Sequence, residues 1–101
     1  MTTNKWGALK EQRLAGMTGD ERKEYERAYA KAKLAAEVGE RVRAAREAAG
    51  LSQRELARRI GTSQAVITRL EAGGVGATLT TLQRVATALE LEVKVELRPT
   101  V

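Results

Sequence analysis

A chain of 101 residues has room for one domain with some extra sequence, not for two full cores. It contains neither cysteine nor histidine, which excludes disulfides, zinc knuckles, thiol catalysis and the usual general base and metal ligand. The formal charge of +5 suits a polyanionic partner, although charge alone says nothing about fold.

Residues 1–17 have mixed character: Trp6, Leu9 and Leu14 are apolar points among charged and amide side chains. Trp6, the only tryptophan, reads either as part of a tail or anchor folded back on the domain, or as a recognition point for a partner protein. Residues 1–6 lack the apolar core of a signal peptide, and no run approaches the roughly 20 apolar residues of a membrane span. The expected location is the cytoplasm, with no membrane contact.

Thr18-Gly19-Asp20-Glu21 is a capping box, and a strongly helical segment follows from about Asp20. Tyr25, Tyr29, Ala32 and Ala36 make one stripe, and Leu34, Val38, Val42 and Ala45 another. Glu21, Lys23, Glu24, Arg27 and Lys31 supply pairs three and four apart that support a helix without a core. Gly39 is a candidate break, since glycine costs up to about 1 kcal/mol in a helix interior. The two tyrosines either pack on this domain or dock a partner. Every aromatic residue lies before residue 30, so the rest of the chain must fill its core with aliphatic side chains.

Residues 38–49 read as the first helix of a compact domain, ended by Gly50. Ser52 then caps a second helix, with Glu55 placed to reach back to it. Leu56, Ala57 and Ile60 form its buried face, and Arg54, Arg58 and Arg59 point away. Gly61 ends it in a left-handed turn, and Thr62 or Ser63 caps the next helix almost at once. Ile67 and Leu70 form the buried side of that third helix. Gln64, Ala65, Thr68 and Arg69 fall on the opposite side, and Gly73-Gly74 stops it. After a loop through Val75 and Gly76, Thr78 caps a last helix with the stripe Leu79, Leu82, Val85, Ala86 and Leu89. Residues 91–97 alternate, with Leu91, Val93, Val95 and Leu97 on one side and Glu92, Lys94 and Glu96 on the other. That pattern predicts a short half-buried strand stopped by Pro99. Its unmet edge predicts pairing with a second copy, giving a two-fold homodimer able to meet half-sites about 34 Å apart.

Two short helices joined by a glycine turn, the second outwardly small and polar, have the layout that pushes a helix into the major groove of DNA. Glutamine can bond the N6/N7 edge of adenine twice, arginine the O6/N7 edge of guanine twice, and Ala65 and Thr68 can meet thymine methyls. Gln53, Thr62 and Ser63 sit at helix N-termini, where phosphate is favoured. The plainer reading is an αα-hairpin with a solvated polar face. The coincidence of capping box, Ala57 at the crossing, glycine turn and spacing favours DNA.

The stretch from Gly50 to Gly73 resembles the Xre/Cro–lambda-repressor helix-turn-helix family, with its G-L-(S/T)-Q-x-x-L-A-x-x-x-G-(V/T)-S-x-x-x-I-x-x-x-E-x-G pattern. The likeness runs over residues 38–89, roughly half the chain. It implies that Gln53 clamps a phosphate, that Gln64, Ala65, Thr68 and Arg69 read bases, and that Arg46 and Glu71 form a buried ion pair. Thr62 stands where valine is usual in the family. A narrower resemblance, resting on the small size, helical arm and C-terminal strand, is to HigA-type antitoxins of toxin–antitoxin pairs; it implies a RelE-like mRNA-cleaving toxin as partner.

The expected fold is all-α: a lambda-repressor-like helix-turn-helix domain with an N-terminal helical arm and one short C-terminal β-strand. Residues 1–37 form the arm, with Trp6, Tyr25 and Tyr29 as candidate partner-binding residues; 38–90 form the DNA-binding domain, and 91–101 the dimerising strand. The expected function is a sequence-specific antitoxin that binds an inverted-repeat operator in its own promoter and neutralises a small toxin. A stand-alone repressor is the alternative, and a pure protein-binding inhibitor a third reading that the usable chemistry of Gln64 and Arg69 disfavours. Without histidine or cysteine, and with Asp20 the only aspartate, no catalytic cluster can be drawn. No enzyme activity, metal or cofactor is expected.

Overall fold

The computed structural model describes residues 15–74 and 78–100. The two readings of Trp6, and the loop residues Val75 and Gly76, lie outside the described residues. Among the described residues, four helices make up the regular structure: α1 (Gly19–Ala48), α2 (Gln53–Ile60), α3 (Gln64–Glu71) and α4 (Leu79–Ala88). The chain divides into two units, Met1–Lys31 and Ala32–Val101.

In the first unit, Thr18 starts α1. Its hydroxyl accepts from the Glu21 N–H at 3.2 Å and its carbonyl from the Arg22 N–H at 2.9 Å. Asp20 and Glu21 place negative charge on the first turn, where the helix dipole favours it. Tyr25 and Tyr29, one turn apart and both half-buried, stack with ring centroids 6.5 Å apart.

The second unit holds the core. Val42 of α1, Leu56, Ala57 and Ile60 of α2, Ile67 and Leu70 of α3, and Val85 of α4 form one buried cluster. Leu56 and Ile67 are fully buried at its centre, and Val38, Leu82, Ala88 and Leu89 close its edges. The cluster is wholly aliphatic. Two residues expected on apolar faces, Leu34 and Leu79, are instead largely exposed.

The helix runs unbroken through Gly39. A Cβ there would lie 2.5 Å from the Leu70 carbonyl oxygen and 2.7 Å from that of Glu71. The glycine is therefore needed for contact, not for a bend: it lets the end of α3 rest directly on the α1 backbone.

Ser52 caps α2, its hydroxyl accepting from the Glu55 N–H at 3.0 Å. The Glu55 carboxylate pairs with Arg58 Nη2 at 2.7 Å, so it serves an exposed ion pair rather than the reciprocal half of a capping box. Gly61 takes φ +72°, and the next residue, Thr62, donates its N–H back to the Ala57 carbonyl at 2.9 Å. This reversal turns the chain straight into α3, where the Ser63 hydroxyl accepts from the Val66 N–H at 3.4 Å. Thr78 does the same for α4, accepting from the Thr81 N–H at 3.1 Å.

The C-terminal strand does not form. Residues 91–100 have no regular secondary structure, and among the described residues there is no strand at all. The alternation of residues 91–97 says which side chains would share a face in an extended backbone; it supplies no neighbouring edge to bond with. With none among the described residues, Leu91, Val95 and Leu97 stay 52%, 71% and 93% exposed. The Leu91 N–H instead returns to the Ala86 carbonyl at 2.7 Å, ending α4. Over the described residues the fold is all-helical, and the expected pairing of two copies through a C-terminal strand loses its basis with the strand.

Candidate nucleic-acid interface

The Gly61 turn sets α3 beside α2 with one side inward. Ile67, Leu70 and Glu71 are buried, whereas Gln64, Ala65, Thr68 and Arg69 are all exposed. The four outward residues fall at helix positions one, two, five and six, the spacing that gathers side chains on one face.

The inward side is fixed by a buried polar network. Arg46, on the last turn of α1, donates from Nε to Glu71 Oε2 at 2.7 Å and from Nη2 to Oε1 at 3.0 Å. Its Nη1 donates to the Leu51 carbonyl at 2.7 Å, which secures the turn between α1 and α2. Burial disfavours the charged Glu71 carboxylate, but hydrogen bonds from Arg46 and Gln53, with the Arg46 charge, outweigh it and hold its pKa below the ordinary value. The hydrogen bond to Glu71 likewise raises the pKa of Arg46. Among the described residues, no buried side-chain nitrogen or oxygen lacks a hydrogen-bond partner.

The network continues to the surface. Gln53 Nε2 donates to Glu71 Oε1 at 3.1 Å, and Gln53 Oε1 accepts from the Thr68 hydroxyl at 2.8 Å. A carboxylate can only accept, so Glu71 dictates which way round the Gln53 amide sits. The chain of contacts thus runs from Arg46 through Glu71 and Gln53 to Thr68, linking α1, α2 and the exposed face of α3.

Of the residues singled out in the sequence, Gln64, Ala65, Thr68 and Arg69 come together on one exposed face, and Arg46 meets Glu71. Ser63 is exposed at the α3 cap, and Thr62 is half-buried in the turn. Gln53, at the start of α2, is half-buried, with its amide drawn toward Glu71. Tyr25 and Tyr29 belong to the other unit. Sequence reasoning missed the roles of Leu51 and of the Gln53–Thr68 bond. The partners of that bond are 15 residues apart, beyond any local spacing rule.

A helix-turn-helix family model matches residues 42–94, just over half of the chain. The chain belongs to the helix-turn-helix family. No curated protein matches the sequence. The matched helix-turn-helix region takes in the end of α1, both helices of the α2–α3 pair, α4 and the start of the tail. The family is one of DNA-binding transcription regulators. Among the described residues, no helix is long and apolar enough to cross a membrane.

Proposed function

We propose that this regulator recognises a particular duplex sequence by laying α3 in the major groove. Gln64, Ala65, Thr68 and Arg69 then face base edges, while Gln53, Thr62 and Ser63 face phosphates. The observation that carries this reading is the exposed quartet on α3, on a helix whose opposite side is pinned by the Arg46–Glu71 pair. A reading face must be held rigidly to discriminate, and a buried bidentate pair does that better than surface contacts. Selection of bound duplexes from a randomised pool tests it: enrichment of one motif is expected, and recovery of unrelated sequences would refute it.

The finer role we propose is that of an antitoxin, autorepressing its promoter as a homodimer on an inverted repeat and neutralising a RelE-like mRNA-cleaving toxin. Support for the partner comes from the stacked Tyr25 and Tyr29 on a stretch of α1 that is otherwise exposed over residues 19–31. Support for two copies comes from the exposed aliphatic side chains Leu91, Val95 and Leu97, which association would remove from water. Coexpression with the small protein encoded beside this gene tests the toxin. Growth rescue with a co-purifying complex is expected. Absence of both would leave the stand-alone repressor, in which the tyrosines pack within their own unit.

A further inference from the structure

Thr68 stands in the middle of the exposed α3 face, yet its hydroxyl is already engaged: it donates to Gln53 Oε1 at 2.8 Å. Gln53 is held at its other end by Glu71, which takes one of the two amide protons at 3.1 Å. The planar amide is therefore clamped at its oxygen and at one N–H, leaving its second N–H as the remaining donor. A hydroxyl pinned in this way also fixes the Thr68 side-chain torsion, and with it the direction of the methyl group.

We infer that Thr68 divides its side chain between two tasks in DNA binding. Its hydroxyl is a positioning group that locks the Gln53 amide for a backbone phosphate. Its methyl is the only part that meets a base. This rests on the major-groove reading proposed above. It predicts that the two halves of one residue separate into a sequence-independent contribution and a sequence-dependent one. A free glutamine side chain loses rotamer freedom on meeting a phosphate, whereas a clamped one has already lost it. The Thr68 hydroxyl, though it touches no DNA, thereby acts on affinity for every sequence.

Two conservative substitutions divide the residue along that line. Thr68→Val keeps the branched shape and a methyl but has no hydroxyl. Thr68→Ser keeps the hydroxyl and loses the methyl. The full chain would be titrated against its selected duplex and against a scrambled duplex over a range of salt. Thr68→Val should weaken both complexes alike, by about 3- to 10-fold, the effect of one hydrogen-bond contribution. Its salt dependence should be unchanged, because no cation–phosphate contact is lost. Thr68→Ser should bind the scrambled duplex like wild type and lose discrimination at a single base pair.

In the free protein, the Gln53 side-chain amide proton resonances should move in Thr68→Val and stay near their wild-type positions in Thr68→Ser. Binding of the scrambled duplex left unchanged by Thr68→Val, or weakened as much by Thr68→Ser, would overturn the division of labour. So would Gln53 resonances indifferent to Thr68→Val. A wild-type chain that binds both duplexes equally would overturn the underlying sequence-reading proposal instead, a result the free-protein resonances keep distinct.

Discussion

Arg46 of α1 grips Glu71 of α3 through two parallel hydrogen bonds, 2.7 and 3.0 Å long, and both side chains are almost wholly shielded from water. The pair joins α3, whose outer side carries Gln64, Ala65, Thr68 and Arg69, to the last turn of α1.

Removing one partner strands the other. Arg46→Ala or Glu71→Ala should each cost roughly 3–5 kcal/mol, because a buried charge is left without its counter-ion. Replacing both with apolar residues, as in Arg46→Met with Glu71→Leu, should restore much of that loss. The recovery should be incomplete, since the Leu51 carbonyl and the Gln53 amide also lose partners. Urea unfolding of the two single variants and the double variant checks the ordering.

Acid should act through the same carboxylate. The folded-state pKa of Glu71 lies below its ordinary value of 4.5. Between those two pKa values the unfolded chain binds more protons, so this contribution is fully present above the ordinary value and fades as pH falls through the folded one. Glu71→Gln should show a lower starting stability and a shallower decline with falling pH over that window. Thermal melts from neutral pH down to about pH 3 would measure it.

Gly39→Ala should destabilise the protein, although alanine is worth about 1 kcal/mol more than glycine in an ordinary helix interior. The added methyl would meet the Leu70 and Glu71 carbonyls at 2.5 and 2.7 Å, and backbone cannot swing aside as a side chain can. A loss of about 1–3 kcal/mol is expected from the forced separation of α1 and α3. Gly19→Ala is the control: a Cβ there meets nothing within 4 Å, and the melting temperature should hold or rise.

Arg69→Ala should cost roughly 1–3 kcal/mol on the selected duplex and relax the preference at one base pair. Competition binding against single-position variants of that duplex measures both effects. An equal loss on every variant would mean that Arg69 touches only phosphate.

Much of the helix layout could be read locally. Ser52, Ser63 and Thr78 cap helices within three residues of their partners, and Leu56, Ile60, Ile67 and Leu70 repeat at helical spacing, so short-range pattern sufficed. Gly39 defeated the same logic. Its low helix propensity is local, but its reason for being there is a contact with residues 31 and 32 positions further on. The tail failed in the opposite direction: residues 91–97 carry the pattern of a strand, but a strand is made by its neighbour, and the described residues offer none. At the candidate site, the exposed quartet follows from the period of one helix. The Gln53–Thr68 bond depends on how two helices meet, which no spacing along the sequence encodes.

The wholly aliphatic core has an optical consequence. Trp6, Tyr25 and Tyr29 are all the aromatic residues of the chain, and all precede Ala32, where the second unit begins. Intrinsic fluorescence therefore originates entirely in the first unit, whereas circular dichroism at 222 nm sums helices from both. An emission change on adding a candidate partner would report directly on the arm. A tryptophan placed on the surface of α4, at Gln83, would give the core a colour of its own.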